Sequence, residues 1–439
     1  MFRTIFVVLA LTAGWGLALQ STLYAACLYL WIAYFRPETW AWSDIFATLN
    51  LSYFAGAYLV IRTVMAGHRF TLDWRSALLI LFLLQSLIAS WFGNYWEYSF
   101  GYWQDFAKTV VVSYLLTIII SSTKDLRLVL MVIVLSLGFE ATKQGWAGML
   151  LSPGSPNVNG VPFLGDNNLV AVGMAMLLPV IAALANTSTG WRKQLFQFMN
   201  IGVLYRAIST YSRGGFLSLG AVGAIYFWRS PRKLRTVAAM TIALALVLPV
   251  LPPAFWDRMG TITAAEDEVQ DDSAASRMYF WQVAVVMAND RPLVGVGHSA
   301  YPRNYNRYDE TNGAYLTNRA VHSAWFGVLA ETGYPGLLLF IAIIFTSLRA
   351  CARVRKAAQS GATNPDLAPY AIALESSLIA FVVGGSFVSF QYCEMLWHFF
   401  ALTIALERVA VAEAVTVPVA AEQPTAATES SVGPDFVWT

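Results

Sequence analysis

The chain has 439 residues, of which 57% are hydrophobic and only 12% are charged. A soluble domain carries about 25% charged residues, so this composition excludes an ordinary soluble protein. Recurring apolar runs of about 20 residues instead indicate a polytopic helical membrane protein. The formal net charge of +2 gives no support for nucleic acid binding.

The apolar runs predict an all-α fold with about twelve transmembrane helices. The first run, residues 4–35, is long for one span and is interrupted at Gly14-Trp15-Gly16. We interpret it as one broken crossing that begins in the cytoplasm because Arg3 favours that side, whereas two short helices would give thirteen spans. The other runs lie near residues 46–66, 75–93, 103–121, 126–148, 166–187, 192–208, 213–229, 233–254, 335–351, 368–390 and 393–410.

Lysine and arginine are concentrated in alternate loops. Loops 94–102 and 149–165 contain neither residue, whereas basic loops lie near residues 68–75, 124–127, 191–193, 229–235 and 349–356. Basic loops face the cytoplasm by the positive-inside rule, so residues 255–334 are predicted to lie outside.

This pattern divides the chain into four parts. Residues 1–254 are predicted to form about nine membrane helices, 255–334 one large and partly helical loop, and 335–411 the C-terminal membrane helices. Residues 412–439 are rich in Ala, Val, Glu, Thr and Ser without a core pattern, which predicts a disordered cytoplasmic tail.

The loop 255–334 is the longest polar segment of the chain. Its acidic run, Glu266 to Asp272, is interpreted as a solvated segment. A surface helix is predicted over about 274–289, with Arg277 in its first turn, where a helix N-terminus adds affinity for anions. The predicted apolar stripe of this helix consists of Met278, Trp281, Val285 and Val286, widened by Ala284 and Ala288.

Charged residues near the predicted outer ends of spans suggest a polar cavity beneath this loop. They are Lys108, Lys143, Arg206 and Arg213. Arg213 lies in Tyr211-Ser212-Arg213-Gly214-Gly215, and a planar guanidinium suits a diphosphate. The alternatives are snorkelling to the headgroups, an ion pair between Glu140 and Lys143, and an arginine that anchors a helix end.

His322 is the candidate general base, since a neutral imidazole accepts a hydroxyl proton near neutral pH. A structural histidine is the alternative. Glu331 lies nine residues further on, which is the opposite face of a helix, so a direct dyad is not expected. Glu331 is instead predicted to close a helix end with Gly333.

Aromatic and basic residues of the loop are candidate substrate contacts, because aromatic faces stack on sugars and arginines hold phosphates. An interfacial aromatic belt is the alternative. His298 is a weaker candidate, and His68 and His398 are interpreted as structural. The remaining candidates are Trp281, Tyr301, Arg303, Arg307, Arg319 and Trp325, with Tyr305, Tyr308 and Tyr315 in the same pattern.

The three cysteines, Cys27, Cys351 and Cys393, are widely separated. No CxxC or Cys/His spacing predicts a metal site or a disulfide framework. The chain also contains no P-loop for a nucleotide.

Several of these motifs together resemble the superfamily of O-antigen ligases (WaaL) and O-antigen polymerases (Wzy). They are Ser212-Arg213-Gly214-Gly215, the segment from Ser276-Arg277 through Trp281 to Gly295-Val296-Gly297, and the segment from His322-Ser323 to Gly333-Tyr334-Pro335-Gly336. The resemblance is strongest over about 160–345. In addition, Phe35-Arg36-Pro37-Glu38-Thr39-Trp40 looks like the N-terminal region of ligase-like members, some of them called O-glycosylation ligases.

The resemblance implies a GT-C-like glycosyltransferase of the bacterial inner membrane with a periplasmic active site. The donor would be a glycan on undecaprenyl diphosphate, and the acceptor would be the lipid A–core. Membrane lipid surrounds such a protein, and no metal or other cofactor is expected. Carried over by position, Arg213 and Arg277 would hold the diphosphate and His322 would be the base.

Other functions stay open at this point. An O-antigen polymerase would use the same donor, and a protein O-oligosaccharyltransferase would use a protein acceptor. The extra domains of many protein-glycosylating relatives have no counterpart here, which favours a lipid or polysaccharide acceptor. A transporter of lipid-linked glycans is disfavoured because no inverted repeat is evident and the charges lie at span ends rather than the midplane. A structural scaffold gives no reason for the arginines.

Overall fold

The computed structural model describes residues 2–41, 46, 48–229, 233–234, 237–238, 241 and 274–414. The ordered elements that can be bounded in these residues are all helices, apart from one bridge between Val161 and Leu164. They are α1 (Phe2–Ala18), α2 (Thr22–Phe35), α3 (Pro37–Trp40), α4 (Leu51–Met65), α5 (Trp74–Phe92), α6 (Trp96–Ile119), α7 (Thr123–Leu151), α8 (Asn167–Asn186), α9 (Gly190–Ile208), α10 (Arg213–Arg229), α11 (Ala274–Asp290), α12 (Tyr301–Tyr308), α13 (Ala324–Gln359), α14 (Leu367–Gly384) and α15 (Glu394–Ala412).

Five of the described helices are long and apolar enough to cross a membrane, namely α5, α8, α13, α14 and α15. Three more, α1, α2 and α4, are apolar but shorter. The helical membrane character expected from the sequence is therefore confirmed for the described residues. The number of twelve spans and the GT-C-like fold stay predictions, and the predicted span 233–254 lies almost wholly outside the described residues.

The interpretation of residues 4–35 as a single crossing is wrong. Two helices form here, and the break falls between Ala18 and Thr22, where Ser21 caps α2 by accepting a hydrogen bond from the Leu23 N–H at 3.1 Å. α1 runs back along α2, since the Phe6 and Phe35 rings lie 6.2 Å apart. The arrangement is the pair of short helices that the sequence left as the alternative, and the number of spans stays a prediction.

The start of α1 consequently lies at the same end of the bundle as the loop that follows α2. The Arg3 guanidinium lies over the Trp40 ring at 5.3 Å. A cation held by an aromatic face in this way does not require the cytoplasmic side that Arg3 alone had suggested.

The basic loops, which the alternation of charge assigns to one side of the membrane, lie together at one end of the bundle. At the basic end, the Arg75 guanidinium is buried and donates to Glu407 at 2.9 Å. Glu407 also pairs with Arg353, so α5, α13 and α15 are joined there. A second pair joins Arg229 to Glu375 at 2.7 Å. Which end faces the cytoplasm stays a prediction.

The buried core is formed mainly by α8, α13, α14 and α15. α8 is buried along nearly its whole length between α9, α10 and α14. This apolar centre leaves polar side chains concentrated at the two ends of the bundle. The end opposite Arg75 carries α11 and α12, and is the location of the candidate site.

Candidate functional site

Residues 274–323, here called the cap, cover one end of the bundle. The Arg291 guanidinium donates to the Phe92 carbonyl at 2.7 Å and to Asn94 Oδ1 at 2.8 Å. The Gln85 amide donates to the Leu293 carbonyl at 2.7 Å. These bonds join the cap to α5 and to the turn before α6, which contains the first residues of the predicted outer loop 94–102.

The cap is also joined to a break in α13. Gly333 has φ 68° and ψ −175°, which interrupts the helix and leaves carbonyls of the preceding turn free to accept bonds from elsewhere. The N–H groups of Val296 and Gly297 donate to the carbonyls of Ala330 (2.8 Å) and Glu331 (3.1 Å), and the Tyr334 N–H donates to the Pro292 carbonyl (2.9 Å). The prediction that a helix ends at Gly333 is confirmed.

The predicted surface helix is confirmed as α11, Ala274–Asp290. Of its predicted apolar stripe, Ala284 and Ala288 are buried and Trp281 and Val285 are half-buried. Met278 and Val286 are 55% and 45% exposed. The helix has apolar residues around most of its circumference, and α12 and α13 cover a neighbouring face. The buried residues of that face are Phe280, Val283, Ala284, Met287 and Ala288.

Asp309 fixes the loop that follows α12. Its carboxylate accepts hydrogen bonds from the Tyr279 hydroxyl (2.7 Å), the Thr311 hydroxyl (2.7 Å) and the Gly313 N–H (2.9 Å). Burial by itself would raise the pKa of Asp309, but these hydrogen bonds outweigh it and lower the pKa to about 2. The carboxylate is therefore ionised at physiological pH.

His322 lies where the cap leads into α13, with its backbone in the left-handed region at φ 49°. Its ring lies 6.4 Å from the Phe280 ring of α11. Two residues later, the Ala324 N–H donates to the Gly385 carbonyl at 2.7 Å. His322 is thus held between the cap and the segment 385–393 that joins α14 to α15.

Arg213 is the first residue of α10 and is half-buried. The Ser212 hydroxyl donates to Asn168 Oδ1 at 2.8 Å, which joins the start of α10 to the start of α8. Gly214 is packed against Phe387, because a Cβ at Gly214 would lie 3.0 Å from the Phe387 Cβ. Arg213 therefore also borders the segment 385–393, on the side of α8.

Arg277 lies in the first turn of α11 and is half-buried. It precedes Phe280 by three residues, so both project from one side of the helix. Phe280 is the residue whose ring neighbours His322. The three predicted catalytic residues therefore come from elements that meet around one end of the bundle, with His322 between the other two segments.

A cavity of about 410 Å³, cavity 1, lies among these elements. Its lining includes Val321, which precedes His322, and Leu169, which follows the Asn168 that Ser212 binds. Ser389, Gln391 and Glu394 line it from the segment between α14 and α15. None of Arg213, Arg277 and His322 lines cavity 1 itself, which is linked to them only through Val321 and through Leu169.

Buried polar groups determine which kind of molecule cavity 1 can bind. Glu331 is 3% exposed, and its carboxylate accepts from the Tyr301 N–H at 3.2 Å and from the Gln391 amide at 3.3 Å. Within the described part of the chain, Gln391 Oε1 and Glu394 Oε2 have no hydrogen-bond partner. Buried acceptors need donors, so this lining suits a molecule rich in hydroxyl groups.

A second cavity of about 490 Å³, cavity 2, lies beside the first between α2, α4 and α6. Arg36 and Glu394 line both cavities. Lys108 and Asp105, paired at 2.6 Å, also line cavity 2. The predicted candidate Lys108 therefore lines cavity 2 and not cavity 1, and Arg36 lies between Lys108 and cavity 1.

Two further intramembrane candidates have protein partners of their own. Lys143 pairs with Glu140 at 2.6 Å, which is the ion pair that the sequence offered as an alternative. Arg206 is fully buried and donates to Gln144 Oε1 at 2.8 Å and to the Asn159 carbonyl. Arg206 thus holds loop 149–165 against α9, and neither residue lines cavity 1 or cavity 2.

The other candidates of the cap, and Trp325 of α13, have contacts with protein groups. His298 is buried with its ring 3.9 Å from that of Tyr392, and burial lowers its pKa to about 3, which keeps it neutral. Tyr301 lines cavity 1, while its hydroxyl donates to the Phe280 carbonyl at 2.8 Å. The remaining contacts are Trp281 stacked on Phe326, Trp325 donating to Ser386, and Arg303, Arg307 and Arg319 over the rings of Tyr98, Tyr308 and Phe280.

Among the residues of cavity 1 that sequence reasoning missed are the three charged side chains and the amide of its lining, namely Arg36, Glu331, Glu394 and Gln391. Two of them carried a usable signal, because Arg36 follows an apolar run directly and Glu394 opens the last one. Glu331 and Gln391 meet only in the folded chain. The acidic run Glu266 to Asp272 lies outside the described residues.

No group of three or more His, Cys, Asp or Glu side chains suited to a metal ion occurs among the residues that the structure describes.

Comparison with known protein families gives two matches. Residues 198–341 match the Wzy_C family, described as O-antigen ligase. Residues 2–184 match a family of unknown function, DUF5935. No curated protein matches the chain. The first match covers Arg213, Arg277 and His322 together with the break at Gly333.

Substituting Gly333→Ala is expected to loosen the cap. A side chain at φ 68° is strained, and its Cβ would lie 2.6 Å from the Pro292 carbonyl oxygen. Hydrogen–deuterium exchange of detergent-purified protein should show faster exchange over residues 292–297. Gly361→Ala, at φ 78° with nothing within 4 Å, is a control that introduces a side chain at positive φ without the clash. Equal effects of both variants on the cap would contradict the proposed contact.

Substituting Asp309→Asn is expected to destabilise the loop after α12 by about 1 kcal/mol, because hydrogen bonds to an ionised acceptor are lost. The folded pKa is lowered from 3.8 to about 2. The stabilisation is therefore complete above pH of about 4 and is lost as the pH falls through about 2. Limited proteolysis across this pH range measures it.

Glu310→Gln, at the neighbouring exposed residue, is the matched control for Asp309→Asn. The control should keep the acid-dependent step of the wild type, whereas Asp309→Asn should lose it. An unchanged step in Asp309→Asn would show that another group is responsible.

Proposed function

Because the chain belongs to the superfamily of O-antigen ligases and polymerases, we propose that it is an O-antigen ligase. In this proposal it transfers a glycan from undecaprenyl diphosphate to a sugar hydroxyl of the lipid A–core. The reaction would take place at the end of the bundle that carries the cap, on the periplasmic side of the bacterial inner membrane. A membrane-embedded enzyme that transfers glycosyl groups is the general function of the family.

The proposal is supported by the position of three residues at or next to helix starts at the cap end of the bundle. Arg213 begins α10, Arg277 lies in the first turn of α11, and His322 immediately precedes the start of α13. The first N–H groups of a helix have no partner within the helix, and the helix dipole is positive there. Both arginines therefore combine their own charge with a helix end that favours anions.

The diphosphate is the leaving group in the proposed reaction. The bond between the anomeric carbon and the diphosphate oxygen breaks, and its electron pair leaves with the diphosphate. Arg213 and Arg277 stabilise the negative charge that develops on that oxygen, which is the larger catalytic contribution. The donor is already activated, so the reaction requires neither ATP nor a nucleotide sugar.

His322 acts on the other substrate. Its neutral imidazole accepts the proton of the acceptor hydroxyl while the acceptor oxygen forms the new bond to the anomeric carbon. Attack on the face opposite the diphosphate inverts the anomeric configuration. Val321 and Glu331 on the wall of cavity 1 fit a sugar-binding space next to this base.

Transfer in proteoliposomes with purified lipid-linked donor and lipid A–core tests the proposal. A strict requirement for lipid A–core is expected of the ligase. Growth of longer polyprenyl-linked glycan with donor alone would instead identify a polymerase. Transfer to a pilin-like protein would identify a protein O-oligosaccharyltransferase.

The proposed roles predict different kinetic defects. His322→Ala should lower kcat by about 100-fold or more, because the general base is lost. Arg213→Ala and Arg277→Ala should lower kcat by about 100-fold, because the developing charge loses a donor, and should raise KM for the lipid-linked donor. Steady-state transfer rates at varied donor and acceptor concentrations measure these effects.

Arg192→Ala, an exposed arginine stacked beside Trp191 at the start of α9, is the control for charge removal. It should retain the wild-type rate. A near-wild-type rate for well-folded His322→Ala would refute the assignment of the base. Unchanged donor KM and kcat in both arginine variants would refute the diphosphate site.

A further inference from the structure

Cavity 2 has the shape and polarity of a binding site for an amphiphile. One end is charged, with Arg36, Asp105, Lys108 and Glu394 in its lining. The wall that leads away from this end is apolar. It follows α4 and α6 and includes Ala57, Val60 and Val111.

The apolar wall continues to the surface of the bundle. Tyr53, Val60 and Val111 are 59%, 37% and 42% exposed although they line the cavity. Because α4 is one of the apolar helices, this surface is suited to face lipid. Cavity 2 is therefore open sideways, between α4 and α6, to a molecule that arrives within the membrane.

The charged end is balanced rather than cationic. Lys108 pairs with Asp105 at 2.6 Å, and Arg36 lies 3.8 Å from Glu38. Glu394 adds a further carboxylate to the lining. A diphosphate would be repelled by these carboxylates, whereas sugar hydroxyls both donate and accept hydrogen bonds and are suited to such a mixture.

Arg36 and Glu394 form the boundary between the two cavities, since both residues line each of them. Arg36 is held in place by its backbone at φ 52° and by its Nε, which donates to the Ala33 carbonyl at 3.1 Å. Glu394 Oε2 has no hydrogen-bond partner in the described part of the chain. Glu394 Oε2 thus lies at the boundary between the two cavities. It can accept a hydrogen bond from a sugar hydroxyl that extends from cavity 2 into cavity 1.

We propose that cavity 2 binds the acceptor glycolipid, with its alkyl chains along α4 and α6 and its sugars at Arg36 and Glu394. This proposal rests on the proposed function. It gives each substrate its own approach, because the donor diphosphate is assigned to Arg213 and Arg277 while the acceptor hydroxyl reaches His322 through cavity 1. Two lipid-linked substrates could then be bound at the same time.

A bulky side chain on the apolar wall of cavity 2 should raise KM for one of the two substrates and leave KM for the other unchanged. Ala57→Trp is expected to raise KM for lipid A–core by about tenfold or more and to leave KM for the lipid-linked donor within about twofold. Val64→Trp, two turns further along α4 at a residue that is 58% exposed and outside the lining, is the matched control. The control should keep both KM values.

Two other kinetic results for Ala57→Trp would overturn the proposal. If Ala57→Trp raises KM for the donor and leaves KM for lipid A–core unchanged, cavity 2 holds the polyprenyl chain and the proposal is overturned. If a folded Ala57→Trp changes neither value, cavity 2 binds neither substrate in the reaction, and the proposal is again overturned.

A binding experiment separates this proposal from the proposed function. Photoreactive benzoylphenylalanine in place of Ala57, and as a control in place of Val64, is irradiated in proteoliposomes with labelled lipid A–core and no donor. Strong labelling at residue 57 and little at residue 64 is expected. Equal labelling at both residues, or preferential labelling of residue 57 by the lipid-linked donor in a parallel reaction, overturns the proposal. Absence of any transfer by the wild type would refute the proposed function, while the labelling would still decide what cavity 2 binds.

Discussion

The arrangement of the whole site depends on the break in α13 at Gly333. An unbroken helix would use the Ala330 carbonyl internally, whereas Pro335 has no N–H to donate to the Glu331 carbonyl. With the break, both carbonyls accept hydrogen bonds from the N–H groups of Val296 and Gly297, and the Tyr334 N–H returns a bond to the Pro292 carbonyl. A loop of the cap is thereby bonded to a membrane helix through main-chain groups, which requires no particular side chains but does require glycine at the points of closest approach.

The same break positions Glu331. This buried carboxylate accepts hydrogen bonds from Tyr301 in the cap and from Gln391 between α14 and α15. It therefore joins three separate segments around cavity 1. His322 lies two residues before the first residue of the helix that carries Glu331, and Arg213 borders the segment that carries Gln391.

Several features were predictable because their signals are local. The helix over residues 274–289 and the helix end at Gly333 follow from short-range patterns and were correct. The apolar stripe of α11 coincided with the buried face only at Ala284 and Ala288, because the helix is apolar on more than one face and the packing of α12 and α13 selects the face of Phe280. The single crossing at 4–35 was wrong because Ser21 caps a second helix, a signal weaker than the apolar run around it.

The sequence by itself determined the membrane character, the positions of most helices and the loops that share an end of the bundle, because hydropathy and charge alternation are properties of short segments. The resemblance also points to Arg213, Arg277 and His322 as a set, and their roles stay a prediction. Only the tertiary structure decided which charges meet. Arg36 and Glu394 border the same two cavities from opposite ends of the chain, and Lys143 and Arg206 are engaged by protein partners. Such pairings depend on how helices distant in sequence pack, and no local pattern encodes them.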